Sequence, residues 1–259
     1  MSFVQFNEAT EQAHVNAARV NPTSYLSTFW LVKKMALTRR FGRGRLLDVG
    51  CSSKPYRPFF ATDAHIGIDW PQTIHQNTQI DVFSDASQLP FRDQAFDTIL
   101  CTEVLEHLRT PQQALNEMAR VSMPGSYLIL SVPFTFRLHE TPHDYFRYSP
   151  FALRFLLEEA GYEVVELHTR GGTMTVWCDI LFRAVGSSLS RLFRATGLRG
   201  GALRALQAVF IIAPQWGVAN LVFALHKRLP GLARQLDPSD QYTLGYVVIA
   251  RKADVRNRR

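Results

Sequence analysis

A chain of 259 residues, 46% hydrophobic and 20% charged, suits one α/β domain with additions. That composition excludes a disordered polymer, and three cysteines without metal-ligand spacing exclude a disulfide-stapled scaffold, so a reducing, cytoplasmic setting is expected. The formal charge of +7 is uneven: residues 170–234 hold nine Lys/Arg against the single Asp179, and the rest of the chain is close to neutral.

Met1–Gln12 carry two glutamates and no apolar core, so no signal peptide is expected there. A polar helix is predicted over Asn7–Arg19, and a more apolar one over Ser24–Arg40, closed by Gly42 and Gly44. Leu46, Leu47 and Val49 then form a short apolar run, the pattern of a strand buried on both faces. Gly50 ends it, and the small residues Cys51, Ser52 and Ser53 lead to Lys54 and Pro55. Such a strand–turn brings backbone N–H groups close to a ligand. Asp48 is a carboxylate inside the apolar strand, where an unpaired charge is costly. It either binds a ligand or satisfies N–H groups of the turn.

Further strands are expected at His65–Asp69, Ile80–Phe83, Phe96–Cys101, Ser126–Val132, Tyr162–His168 and Tyr246–Arg251. Helices are expected over Pro111–Val121 and Pro150–Ala160, with prolines in the first turn and Gly161 as a C-terminal cap. Strands alternating with helices imply an open, doubly wound α/β sheet. Ligands of such sheets sit at the carboxyl ends of the strands. Asp69 ends the second strand in Gly67-Ile-Asp-Trp70, and Asp85 follows the third in Ser84-Asp-Ala-Ser-Gln-Leu-Pro-Phe91. An acid about 20 residues after a glycine turn can accept both hydroxyls of a ribose. An NAD-binding domain would share Gly50 and Asp69, but the turn lacks that fingerprint's glycines.

The pieces LLDVGCSSKPY, HIGIDW, DASQLPF, FDTILCTEVLEHL, the Arg120–Ser126 segment and SVPF together resemble class I S-adenosylmethionine-dependent methyltransferases. The ubiquinone- and menaquinone-type branch looks nearest. The resemblance covers residues 45–168 and implies a Rossmann-like seven-stranded sheet with a final antiparallel strand. It also implies S-adenosylmethionine as cofactor. Asp48, Gly50, Cys51 and Ser52 would hold its methionine portion, Asp69 and Trp70 the ribose region, and Asp85 with Ala86 the adenine edge. Thr102 and Glu103 would line the floor. Ser52 and Lys54 stand where the family usually has glycines, a departure that matters if the backbone there needs positive φ. An inactive, methyltransferase-like scaffold is the reading that departure leaves open.

A hydroxyl acceptor needs its proton removed, and histidine titrates in a suitable range. In Leu138-His-Glu-Thr-Pro-His-Asp-Tyr-Phe-Arg-Tyr-Ser149, His143, His139 and Asp144 are candidate bases, while Tyr145, Arg147 and Tyr148 could orient the acceptor. Alternatively these histidines cap backbone groups. His107, expected on a helix after the fourth strand, is a packing or capping residue or a further acceptor contact. No Asp/Asn-Pro-Pro-Tyr element follows that strand, which disfavours DNA bases as substrate, and no group of His, Cys and carboxylates has metal-ligand spacing, so no metal is expected.

Four regions are expected: a helical cap (1–44), the cofactor-binding core (45–169), a helical, basic and apolar insertion (170–241), and the last strand with a basic tail (242–259). The insertion reads as helices Thr173–Ala195 and Leu203–Leu229. Asp179 and Arg183 make a bilayer-crossing hairpin expensive, which leaves a membrane-surface hairpin, a lid or a dimer contact. The expectation is O-methylation of a small or lipid-linked acceptor, with RNA methylation as the rival and peripheral membrane contact through residues 170–235.

Overall fold

The computed structural model describes residues 25–73, 79–197 and 200–253. The helix expected over Asn7–Arg19 lies outside them. The described residues divide into two compact units: Lys34–His168 with Gly245–Ala253, and Thr169–Leu244 with Tyr25–Lys33.

The first unit is built on one sheet of β1 (Arg45–Val49), β2 (Ala64–Asp69), β3 (Val82–Phe83), β4 (Phe96–Thr102), β5 (Ser122–Pro133), β6 (Tyr162–Thr169) and β7 (Gly245–Lys252), in the order β3-β2-β1-β4-β5-β7-β6. β1 pairs in parallel with β2 and β4, and β4 with β5. β7 runs antiparallel to β5, from Tyr127↔Arg251 to Pro133↔Gly245. This is the doubly wound, seven-stranded architecture that the motifs implied. From β1 the chain winds to β2 on one side and to β4 on the other, and that reversal opens a crevice at the carboxyl ends of β1 and β4.

Apolar side chains on both faces hold the sheet: Leu47, Ile99, Leu130 and Val248 on one and Leu46, Leu100, Ile129 and Ile249 on the other are fully buried, each contributing about 1.5–3 kcal/mol. Helix α1 (Tyr25–Leu37) precedes the sheet, and α2 (Pro111–Val121) buries Ala114, Leu115 and Met118. Pro111 lacks only an N–H that the first helical turn leaves unpaired anyway. Helix α3 (Pro150–Glu159) is capped by Ser149, whose Oγ accepts the Ala152 N–H at 3.2 Å. Between β4 and α2 there is a single 3₁₀ turn, Leu105–His107, not the helix expected to carry His107.

The second unit contains α4 (Thr173–Ala195), α5 (Gly200–Gln207), α6 (Ala213–Arg228) and α7 (Pro230–Leu236). A π-helical segment, Ala208–Ile212, interrupts the single helix expected over Leu203–Leu229. Pro214 follows it, and a proline ring crowds the carbonyl four residues earlier, which a widened turn accommodates. Asp237 caps the start of α4, accepting from Thr175 N–H at 2.9 Å and Thr175 Oγ1 at 2.7 Å. Phe29, Trp30, Val176, Ala219 and Val222 form this unit's core. Trp177, Leu181, Phe210, Trp216 and Leu221 are exposed, and Gly200–Arg228 is long and apolar enough to cross a membrane.

Candidate active site

The site begins where β1 ends. Gly50 has φ +69°, and a Cβ there would lie 2.2 Å from Val104 Cγ2, so only glycine fits. Ser52 and Lys54 follow with φ of 45° and 51°. The departures from glycine therefore sit in left-handed backbone, and other contacts offset the strain. Ser52 N–H donates to Asp69 Oδ2 at 3.0 Å, and Trp70 N–H donates to Asp69 Oδ1 at 2.8 Å. Lys54 is buried, with Nζ 2.5 Å from Asp81 Oδ2 and 3.2 Å from the His65 carbonyl. A Cβ on Gly67 would strike Lys54 Cε at 2.4 Å, so the lysine stem needs a glycine beneath it.

Asp48 corrects both expectations for it. Its carboxylate is buried, with Oδ2 3.0 Å from His65 Nε2, and it does not line the crevice. Burial pushes its carboxyl above the ordinary range, and His65 opposes that shift.

A cleft of about 1080 Å³ opens at the carboxyl ends of β1, β2 and β4. Gly50, Cys51, Ser52, Asp69, Trp70, Asp85, Ala86, Thr102 and Glu103 all line it. Burial, with the charges of Asp48 and Asp69, pushes the Cys51 thiol up to about 12, so it is neutral and a poor nucleophile near pH 7. Asp85 Oδ1 accepts from Ser87 N–H at 2.8 Å and Ser87 Oγ at 2.7 Å. Glu103, with φ +54°, accepts from Ser131 Oγ at 3.0 Å.

The opposite wall contains His107, Glu140, His143 and Tyr145. Their loop is tied to the turn after β4: Tyr145 N–H donates to the Glu106 carbonyl at 2.9 Å, and His107 Nδ1 lies 2.6 Å from the His143 carbonyl. His143 Nδ1 lies 3.0 Å from Tyr145 Oη, which also accepts from Arg109 Nε at 2.9 Å. The His143 ring meets Trp70 edge-on at 5.3 Å.

Four expected site residues stand behind this wall and do not line the cleft. Tyr148 is a buried strut whose Oη donates to the Leu105 carbonyl at 3.0 Å. Arg147 grips Asp144 through both oxygens, at 2.6 and 2.8 Å, and holds its carboxyl well below the usual range, which makes Asp144 a poor base. His139 Nδ1 lies 3.2 Å from the same carboxylate. Tyr56, Arg109 and Glu140, none of them an expected site residue, also line the cleft.

A family model described as a methyltransferase domain matches residues 47–130. The O-methyltransferase rstn1 of Aspergillus nomiae is 32% identical over 162 residues, covering 50% of this chain and 72% of that protein. The chain belongs to the class I S-adenosylmethionine-dependent methyltransferases. Its cofactor is S-adenosylmethionine. This methyltransferase is also 31% identical over 133 residues to the probable tRNA methyltransferase 9B of Mus musculus, covering 47% of this chain but 30% of that one. Among solved structures it resembles the [4+2]-cyclase SpnF, with a TM-score of 0.52 at 19% identity, over 95% of this chain and 93% of the other. That likeness is one of fold.

Proposed function

We propose that this methyltransferase methylates an oxygen of a small or lipid-linked acceptor. One observation carries the reading: a single cleft is lined on one wall by the Gly50–Asp69 turn and on the other by His143 and Tyr145. The bare backbone at Gly50 and the half-buried Asp69 carboxylate fit the methionine and ribose portions of the cofactor. Asp85 and Ala86 take the adenine edge, and Thr102 and Glu103 form the floor. When bound, S-adenosylmethionine supplies a sulfonium methyl group that leaves a neutral thioether on in-line displacement.

The chain's own residues then orient and deprotonate. With Nδ1–H donated to Tyr145 Oη, His143 presents Nε2 to accept the hydroxyl proton as the acceptor oxygen bonds to the methyl carbon. Arg109 fixes Tyr145, and Arg147–Asp144 stiffens the loop. Positioning supplies much of the acceleration. The name of the Aspergillus relative, an O-methyltransferase, supports oxygen as the acceptor atom.

RNA is the rival reading, supported by the name of the murine relative. It is disfavoured because the excess positive charge lies in residues 170–234, beside exposed Trp177, Phe210 and Trp216. Cations beside exposed aromatic and aliphatic side chains suit the surface of an anionic bilayer, so the helical unit is assigned to peripheral contact with the cytoplasmic membrane face. Incubation with methyl-labelled S-adenosylmethionine and either lipid extract, a panel of phenols or unmodified tRNA tests the reading. Label should enter lipid or phenol in a base-stable ether; label in tRNA alone contradicts it.

A further inference from the structure

Beside the cleft, three side chains with donor atoms converge. One carboxylate oxygen of Glu106 and one ring nitrogen each of His107 and His139 lie within 4.8 Å of one another. Glu106 Oε1 is 3.7 Å from His107 Nε2 and 3.9 Å from His139 Nε2. Those separations are too long for hydrogen bonds. They are close to the separation of about 3.3 Å between ligands that share a four-coordinate ion at about 2.0 Å.

The far side of each ring is already committed. His107 Nδ1 faces the His143 carbonyl at 2.6 Å, an atom that can only accept, so Nδ1 carries the proton and Nε2 presents its lone pair. His139 Nδ1 faces Asp144 at 3.2 Å, and Arg147 fixes that carboxylate in turn. A carbonyl or carboxylate behind an imidazole is the arrangement that orients metal-bound histidines. Glu106 is fully buried, while His107 reaches the cleft, so a bound ion would keep a side open to it. Glu140, another cleft residue, has Oε2 3.9 Å from His107 Nε2.

We propose that Glu106, His107 and His139 form a divalent-cation site opening into the cleft. Two imidazoles and one carboxylate select a borderline ion such as Zn²⁺ over the hard Mg²⁺. The expectation that no metal site exists rested on spacing along the sequence; the fold brings His139 to the Glu106-His107 pair. Its role is to hold the acceptor's oxygen and ease loss of its proton, and this role rests on the methyl-transfer reading above. The site itself does not.

The test uses the full chain, stripped with chelator and titrated calorimetrically with Zn²⁺ and with Mg²⁺. One equivalent of Zn²⁺ should bind, at least about tenfold more tightly than Mg²⁺. His107→Ala and His139→Ala should each weaken Zn²⁺ binding at least about tenfold. In the unaltered protein, Co²⁺ should selectively shift the ring resonances of His107 and His139, a readout independent of whether the variants fold. Absence of Zn²⁺ binding, Zn²⁺ binding unchanged in both folded variants, or Co²⁺ shifts confined to other histidines overturns the site. S-adenosylmethionine titrated into the same samples separates the two readings: cofactor binding without Zn²⁺ binding leaves methyl transfer standing, and the converse leaves only the metal site.

Discussion

Ser52 N–H donates to Asp69 Oδ2 across 3.0 Å, tying the turn after β1 to the end of β2. The bond holds Ser52 at φ 45°, a conformation that costs a non-glycine residue about 1–2 kcal/mol. Ser52→Gly removes that strain, offset by about 0.4–1 kcal/mol from the freer unfolded chain. We expect the melting temperature to hold or rise by about 1–4 °C. Lys54→Gly should lower it despite a similar φ of 51°, because the Asp81 ion pair is lost. A clear drop in melting temperature for Ser52→Gly, measured by circular dichroism, would show that serine makes a contact the turn requires.

Much of the core was legible in the sequence because both-face burial demands unbroken apolar runs such as Tyr246–Ala250. The partner of Asp48 was not. It follows from register: Asp48 pairs with Gly67, and His65 is its diagonal neighbour on the same face. Gly67 has no side chain to block that diagonal. Tyr148 and Arg147 were misread as acceptor contacts because a polar loop gives no sign of which side chains turn inward. Glu106 was missed for a similar reason, since its grouping with His139 exists only once the loop is tied to the turn after β4.

Arg147 and Asp144 give a pH signature. Asp144 titrates below its ordinary range in the fold, chiefly through the Arg147 hydrogen bonds. On acidification the unfolded chain therefore takes up this proton first. The pair's contribution is complete above the ordinary carboxylate pKa of about 3.9 and is lost as the pH falls through the depressed folded value. Arg147→Met should cost about 1.5–3 kcal/mol at pH 7 by urea unfolding, and the gap to wild type should narrow toward pH 3. A gap that does not vary with pH would remove the pairing from the account.

His143 is expected to matter for turnover and not for cofactor affinity. His143→Ala should lower turnover about 10²-fold or more, the scale of lost general-base catalysis. Tyr145→Phe, which removes the Nδ1 partner and leaves the imidazole, should have the smaller effect. Equal activity of His143→Ala and wild type, with the acceptor in hand, would reduce the histidine to packing.

The helical unit should sediment with liposomes containing anionic lipid. High salt should weaken this without abolishing it, because exposed Trp177, Trp216 and Leu221 add apolar burial to the charge. Replacing the exposed Arg191 and Arg194 by Glu should reduce sedimentation and leave cofactor binding intact. Wild-type protein that stays in the supernatant would assign the apolar surface to contact with another protein chain.

Calorimetric titration of S-adenosylmethionine into wild type and Asp69→Ala tests the central assignment most directly. The wild-type chain should bind one equivalent. The variant, folded by circular dichroism, should bind at least about tenfold more weakly, since charge-assisted bonds of about 1.5–3 kcal/mol each are removed. No binding to folded wild type, or an unchanged affinity in folded Asp69→Ala, would contradict the cofactor site described above.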